Sequence, residues 1–311
     1  MAFAAVFPGQ GSQSVGMLSG LSESDITKQL LSYSSKILGY NLGGLIASGP
    51  TEKLNSTERA QPALLAAGVA AWRVWRAQGG PDPAYMAGHS LGEYTALVCA
   101  GALDFGAAIK LVEFRGQVMQ EAVPAGTGAM AAVLGLSDAA VRHACSEASQ
   151  GEVVAAANFN APGQVVISGQ TAAVARAAEL CRQAGAKRVI PLPVSVPSHC
   201  DLMQPAATKL AKQLETIGFQ TPVIPVIHNV DVTAHARPEE IRQVLIKQLY
   251  SPVRWVETVE ALARQGVTQL IEFGPGRVLT GLTKRIDKSL AAYAVYDVAT
   301  LEAALAAVRG S

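Results

Sequence analysis

Apolar runs of strand length alternate along this chain with segments of helical length, and glycine- and proline-rich stretches mark the joins. Residues 3–7 read as a buried first strand that runs into a Gly/Gln/Ser loop from 9 to 16. Gln61-Pro62 opens a helix through residue 76, with proline in the first turn, where its missing N–H costs nothing. The apolar run Ala84-Tyr85-Met86-Ala87 precedes Gly88-His89-Ser90-Leu91-Gly92, and 93–98 reads as the helix that follows. A further helix covers 105–121. This β-α-β-α order implies a mainly parallel sheet covered by helices.

The pattern changes at Pro124-Ala125-Gly126-Thr127-Gly128. Beyond it come a strand over 129–134, a helix over 138–148, strands over 153–158 and 164–168, a helix over 171–184 and a strand over 189–193. That β-α-β-β-α-β order is the split-βαβ, ferredoxin-like arrangement. A proline-rich passage, 191–197, leads back to the first body. Helices over 201–214, 238–249, 256–265 and 300–308 and strands over 223–229 and 269–273 complete the reading. The expected fold is α/β. A large α/β-hydrolase-like domain with a mainly parallel sheet takes 1–124 and 198–311, and a small ferredoxin-like domain, 125–197, is inserted into it.

Composition narrows the class. Half of the 311 residues are hydrophobic and 16% are charged, which suits a globular enzyme-like body rather than a disordered one. A net charge of +1 gives no global reason to expect nucleic acid or an anionic membrane as partner. The first residues lack the basic region of a signal peptide, and the long apolar stretches are broken by charge, proline or asparagine, so no membrane span is expected. Cys99, Cys145, Cys181 and Cys200 show no C-x-x-C or metal spacing; free thiols, a reducing cytoplasm and no metal are the expectation.

The chemistry centres on Ser90. A serine flanked two residues either side by glycine, where a strand gives way to a helix, is the nucleophile-elbow pattern. Side chains at 88 and 92 would collide with the neighbouring strand and helix, and the serine oxygen is held out at the carboxyl edge of the sheet beside the Leu91 amide. The plainer reading is a tight turn in which Ser90 caps the helix. A serine hydroxyl needs a base, and five histidines are available. His89 adjoins the serine on a turn that points the two apart, His143 lies on a helix with Arg142, His235 sits in a polar loop, and His228 on an apolar strand reads as a core histidine. His199 follows extended backbone at a domain junction, where clefts form, and is the best placed; spacing alone does not decide it.

Several motifs occur together and in order. They are Pro8-Gly9-Gln10-Gly11-Ser12-Gln13, Gly88-His89-Ser90-Leu91-Gly92-Glu93-Tyr94, Val112-Glu113-Phe114-Arg115-Gly116 and Asn158-Phe159-Asn160. Val194-Ser195-Val196-Pro197-Ser198-His199-Cys200, Gln248-Leu249-Tyr250-Ser251-Pro252-Val253 and Phe273-Gly274-Pro275-Gly276 complete the set. In this order the chain resembles the malonyl-CoA:acyl-carrier-protein transacylases of bacterial fatty acid synthesis, from residue 3 to about 287.

The resemblance implies an acyltransferase that carries a malonyl group from malonyl-CoA to the phosphopantetheine thiol of acyl carrier protein. It implies a malonyl-Ser90 intermediate, His199 as base oriented by the backbone carbonyl at Gln248, and the amides of Gln10 and Leu91 as oxyanion hole. Arg115 would hold the malonyl carboxylate, with Gln248, Asn158 and Asn160 also at the substrate. No cofactor beyond the substrate, no nucleic acid, no membrane and a monomer complete the expectation.

Other features have plainer readings. The loop Gly9-Gln10-Gly11-Ser12 fits neither G-x-G-x-x-G nor a P-loop. Arg115 on its own would read as a solvated helix arginine pairing with Glu113 or Glu121, and Cys200 as a small buried thiol. Lys187, Arg188, Lys284, Arg285 and Lys288 read as surface charge, from which a docking patch for an acidic carrier protein could be drawn. Ser198 is small; in related polyketide acyltransferases bulk at this position favours malonyl and a smaller residue admits methylmalonyl. The competing functions are a thioesterase or esterase using the same Ser90–His199 pair and a non-catalytic binding module. A buried Arg115 would favour a carboxylated acyl chain over a neutral lipid tail.

Overall fold

The N-terminal apolar run forms the middle strand of a parallel sheet. A computed structural model describes residues 2–124, 126–194 and 196–310; the expected domain boundary at 125 and Ser195 of the proline-rich passage lie outside the described residues. Nine strands are found among them: β1 (Ala2–Phe7), β2 (Tyr85–Gly88), β3 (Gly128–Leu134), β4 (Val154–Ala161), β5 (Gln164–Gln170), β6 (Arg188–Pro191), β7 (Val226–Ile227), β8 (Val267–Phe273) and β9 (Ala291–Val295). They form two separate sheets. One has the order β7-β2-β1-β8-β9, every neighbouring pair parallel; the other has the order β4-β5-β3-β6, every pair antiparallel.

Strand β1 shows why the parallel sheet is buried on both faces. Phe3, Ala5 and Phe7 point into one hydrophobic cluster, while Ala4 and Val6 point into another. On the first face Trp75 meets Phe3 and Phe273 edge-on, at centroid separations of 5.9 and 5.4 Å. The antiparallel sheet buries its own face under helices Asp138–Ser149 and Thr171–Gln183, through Val141, Cys145, Val174 and Cys181. Strand β4 fastens the two bodies together. Phe159 N–H donates to Val253 O and Val253 N–H to Ala157 O, both at 2.9 Å. The residue thus gripped, Val253, ends the run Gln248-Leu249-Tyr250-Ser251-Pro252-Val253.

The structure corrects several expected elements. The helix expected to open at Gln61 begins at Thr57 and runs to Ala77, so Pro62 lies inside it, where it deletes the bond to the Glu58 carbonyl. The strand expected over 223–229 shrinks to Val226–Ile227, because Pro222 and Pro225 offer no N–H to a ladder. The helix expected from 201 starts as a single tight turn, Asp201–Met203, before Gln204–Glu215. Helices Asp25–Leu38, Leu42–Ser48, Thr51–Asn55 and Val278–Ile286, and strand β9, were not legible in the pattern. The helix Val278–Ile286 is held at its N-terminus by buried Glu272, whose carboxylate accepts from Leu279 N–H at 3.0 Å, Thr280 N–H at 2.8 Å and Thr280 Oγ1 at 2.7 Å. Among the described residues no helix is long and apolar enough to cross a membrane.

Candidate active site

Phe7 pairs with Gly88 in register, so β1 and β2 end side by side at the carboxyl edge of the parallel sheet. Helix Gly92–Cys99 starts four residues after Gly88, and the chain turns at Ser90 with φ 51°, in the left-handed region. Both glycines are required by contact. A Cβ on Gly88 would run into the backbone of Gly92 and Glu93, and one on Gly92 into the carbonyl of Phe7. No side chain caps the helix at Leu91.

A buried amide braces this strained turn. Asn229 Oδ1 accepts from Ser90 N–H at 2.7 Å, and Asn229 Nδ2 donates to Gly88 O at 2.7 Å. Glu93 holds the brace in turn, accepting from Asn229 N–H at 2.9 Å and from His228 Nδ1 at 2.7 Å. Glu93, His228 and Asn229 are all fully buried, and His228 Nε2 has no partner.

The base comes from the other side of the cleft. His199 Nε2 lies 2.8 Å from Ser90 Oγ, and His199 Nδ1 lies 2.8 Å from the main-chain oxygen of Gln248. A carbonyl oxygen only accepts, so the proton sits on Nδ1 and Nε2 presents its lone pair to the serine. No carboxylate is needed to fix that tautomer. Burial, reinforced by the nearby Arg115 charge, pushes the His199 pKa down to about 3, so the ring is neutral at physiological pH. His199 itself adopts φ 63°, and its N–H is tied to Leu249 O at 2.9 Å.

Arg115 is not a solvated helix arginine. It is 1% exposed, and Glu113 and Glu121 are engaged by Arg59 and Lys209 at 3.0 and 2.8 Å. Nη1 donates to Gln61 Oε1 and Nη2 to Gln248 Oε1, each at 2.9 Å, and Nη2 also reaches Ser90 Oγ at 3.4 Å. Its Nε is buried without a partner, and burial pulls its pKa below the usual arginine value.

A cavity of about 480 Å³ opens between the two sheets over these groups, and Ser90, His199, Arg115, Gln10, Leu91, Asn158 and Asn160 all line it. Ser198 lies on the same wall. Asn160 reaches across to His89, whose Nε2 sits 2.8 Å from Asn160 Oδ1. His89 thus serves as a local hydrogen-bonding group away from the serine oxygen. Gln248 is placed differently from the other expected substrate contacts. It is fully buried behind Arg115, its side-chain Nε2 donates to Ser90 O at 3.1 Å, and it does not line the cavity. Cys200 is buried, with its Sγ 3.2 Å from Pro197 O. His143 is exposed and His235 is paired with Asp231 at 2.7 Å.

Gln61, Asn229 and Glu93 are the members that sequence reasoning missed. Glu93 stood within the elbow motif but carried no separate role there, whereas Gln61 and Asn229 meet their partners across 54 and 139 residues. Neither has a local spacing signal.

Residues 5–305 match the acyl transferase domain family. The chain is 57% identical over 304 residues to the malonyl CoA-acyl carrier protein transacylase of Escherichia coli (strain K12), covering 97% of this chain and 98% of that one. It is 59% identical over 303 residues to the Haemophilus influenzae protein of the same name, covering 97% of each. A crystal structure of an acyl carrier protein S-malonyltransferase from Vibrio cholerae superposes with a TM-score of 0.96 at 62% identity, over 98% of this chain and 100% of that one. A malonyl-transacylase in complex with its type II PKS acyl-carrier protein gives 0.97 at 58% identity, over 98% and 99%. The chain therefore belongs to the acyl transferase domain family and, within it, to the malonyl CoA-acyl carrier protein transacylases.

Proposed function

We propose that the chain transfers a malonyl group from malonyl-CoA to the phosphopantetheine thiol of acyl carrier protein, through an ester on Ser90. The observation that carries the reading is a buried, unneutralised guanidinium, that of Arg115, 3.4 Å from a serine oxygen that is itself 2.8 Å from a neutral imidazole. His199 Nε2 takes the proton from Ser90 Oγ as that oxygen attacks the thioester carbonyl. The amides of Gln10 and Leu91 receive the oxyanion. The carbon–sulfur bond breaks and the proton passes from His199 to the departing thiolate. In the second half-reaction His199 takes the proton of the carrier thiol, whose sulfur attacks the malonyl ester, and returns it to Ser90. Arg115 holds the malonyl carboxylate, Asn158 and Asn160 line the path of the acyl group, and Gln248 fixes both His199 and Arg115. This acid–base route calls on no cofactor beyond the malonyl-CoA substrate.

We also assign the large α/β-hydrolase-like domain to 1–124 and 198–311 and a small ferredoxin-like domain to 125–197. The serine elbow at a strand–helix junction of a parallel sheet supports the first assignment. The separate antiparallel sheet, β4-β5-β3-β6, reached in β-α-β-β-α-β chain order, supports the second. Incubation with malonyl-CoA and carrier protein bearing its phosphopantetheine thiol should yield malonyl carrier protein. Release of free malonate with the carrier left unmodified would favour the hydrolase instead.

A further inference from the structure

Arg115 is the one lysine or arginine that is buried among the described residues; two amides accept its short hydrogen bonds, and the Tyr94 ring lies 5.3 Å from its guanidinium. Gln61 Oε1 and Gln248 Oε1 each accept from it at 2.9 Å, and both glutamines are fully buried. Glu113 and Glu121, on the same helix, are engaged by Arg59 and Lys209, and buried Glu93, whose charge acts on Arg115 without a hydrogen bond to it, is engaged by His228 and Asn229. A glutamate at 61 would present an oxygen at the same place and bind the guanidinium more strongly. Nor does the other end of the Gln61 side chain demand an amide. Its Nε2 meets only Met119 Sδ, at 3.6 Å, a weak acceptor. Hydrogen bonding alone therefore does not account for a glutamine here, whereas charge does. An amide positions Arg115 without giving it an ion-pair partner; a carboxylate in contact would cancel that charge before any substrate arrived.

We infer that Gln61 is a specificity-determining positioning residue, whose neutral grip on Arg115 reserves the buried positive charge for the free carboxylate of a dicarboxylic acyl group. The inference rests on the assignment of Arg115 to the malonyl carboxylate. An acyl group without a carboxylate leaves the buried cation unpaired, so acetyl is disfavoured by the same feature that favours malonyl.

The test compares malonyl with acetyl transfer, from the two CoA thioesters to the carrier protein, in the full chain and in Gln61→Glu, Gln61→Met and Arg115→Ala. Gln61→Glu should lower the malonyl-to-acetyl rate ratio by at least about tenfold. Gln61→Met, which fills the same volume without charge, should lower both rates and keep the ratio within about threefold. Acetyl transfer in each variant reports that it is folded. Should the glutamate variant fail to fold, Gln61→Asp carries the charge in less volume and is read in the same way. A Glu ratio equal to that of the unaltered chain, or a Met ratio that falls as far as the Glu ratio, overturns the inference. If Arg115→Ala lowers the ratio while Gln61→Glu does not, the malonyl assignment of Arg115 stands and the role of Gln61 falls. A ratio unmoved by Arg115→Ala removes that assignment itself.

Discussion

His199 donates from Nδ1 to the main-chain oxygen of Gln248 at 2.8 Å, in the position where an acid would stand in a serine–histidine–acid triad. The contact fixes which nitrogen faces Ser90 without placing a negative charge beside Arg115. A carboxylate there would compete for the guanidinium that Gln248 also holds through its side chain, at 2.9 Å. Replacing His199 by alanine should therefore slow acylation of Ser90 and its deacylation together, by about 10² to 10⁴-fold, because one imidazole serves both steps. Rapid-quench measurement of each half-reaction checks this; a variant slowed in only one would assign the other proton transfer to a different group.

The pH dependence follows from what depresses His199: burial first, the Arg115 charge second and His89 after it. The base form exists above its pKa of about 3, so acylation should lose little rate to His199 protonation down to about pH 5. Arg115→Ala removes one lowering influence, the pKa rises, and the acid limb moves to higher pH. Acetylation of Ser90 by acetyl-CoA, followed against pH, reads the limb without needing the arginine's substrate contact. Superimposable acid limbs in the two proteins would show that the arginine charge does not reach the imidazole.

Gly92 stands where a Cβ would strike the carbonyl of Phe7, which is backbone and has no room to yield. Gly92→Ala should cost about 3 kcal/mol or more of stability, seen as a lower denaturant midpoint. A midpoint within experimental error of the unaltered chain would mean that the elbow is looser than its packing implies.

Asn229 offers a different kind of test, since it touches no substrate. Asn229→Ala leaves the Ser90 amide and the Gly88 carbonyl without their side-chain partner, at about 1–3 kcal/mol for each group left buried and unsatisfied. The serine oxygen loses its fixed position, and acylation should fall about 10²-fold. Acylation rates set beside melting temperatures separate the effects: a stability loss with an unchanged acylation rate would leave Asn229 as packing alone.

How much of this was legible in the chain follows the range of the interactions. The elbow could be read because its constraint is local: glycines at 88 and 92 are demanded by backbone atoms within a few residues and by the adjoining strand. The order of strands and helices from 128 to 191 could be read because each element carries its own apolar period and turn. Strand β9 could not, because Ala291, Ala292 and Tyr293 are only half-buried at the sheet edge and show no alternation. The segment 223–229 reads as a longer strand than it is because Ile224, Val226 and Ile227 are buried, while Val223 is exposed and Pro225 interrupts the ladder. Arg115 looked like a surface residue on helix Phe105–Glu121, and only its motif context pointed inward; the two amides that hold it lie 54 and 133 residues away. Such contacts are products of the tertiary fold.

The covalent intermediate on Ser90 is the centre of the account, and intact-mass spectrometry after mixing with malonyl-CoA tests it most directly. The unaltered chain should gain the mass of one malonyl group, lose it when carrier protein is added, and gain none as Ser90→Ala. A malonyl adduct that persists in Ser90→Ala would contradict the account and place the nucleophile on another side chain.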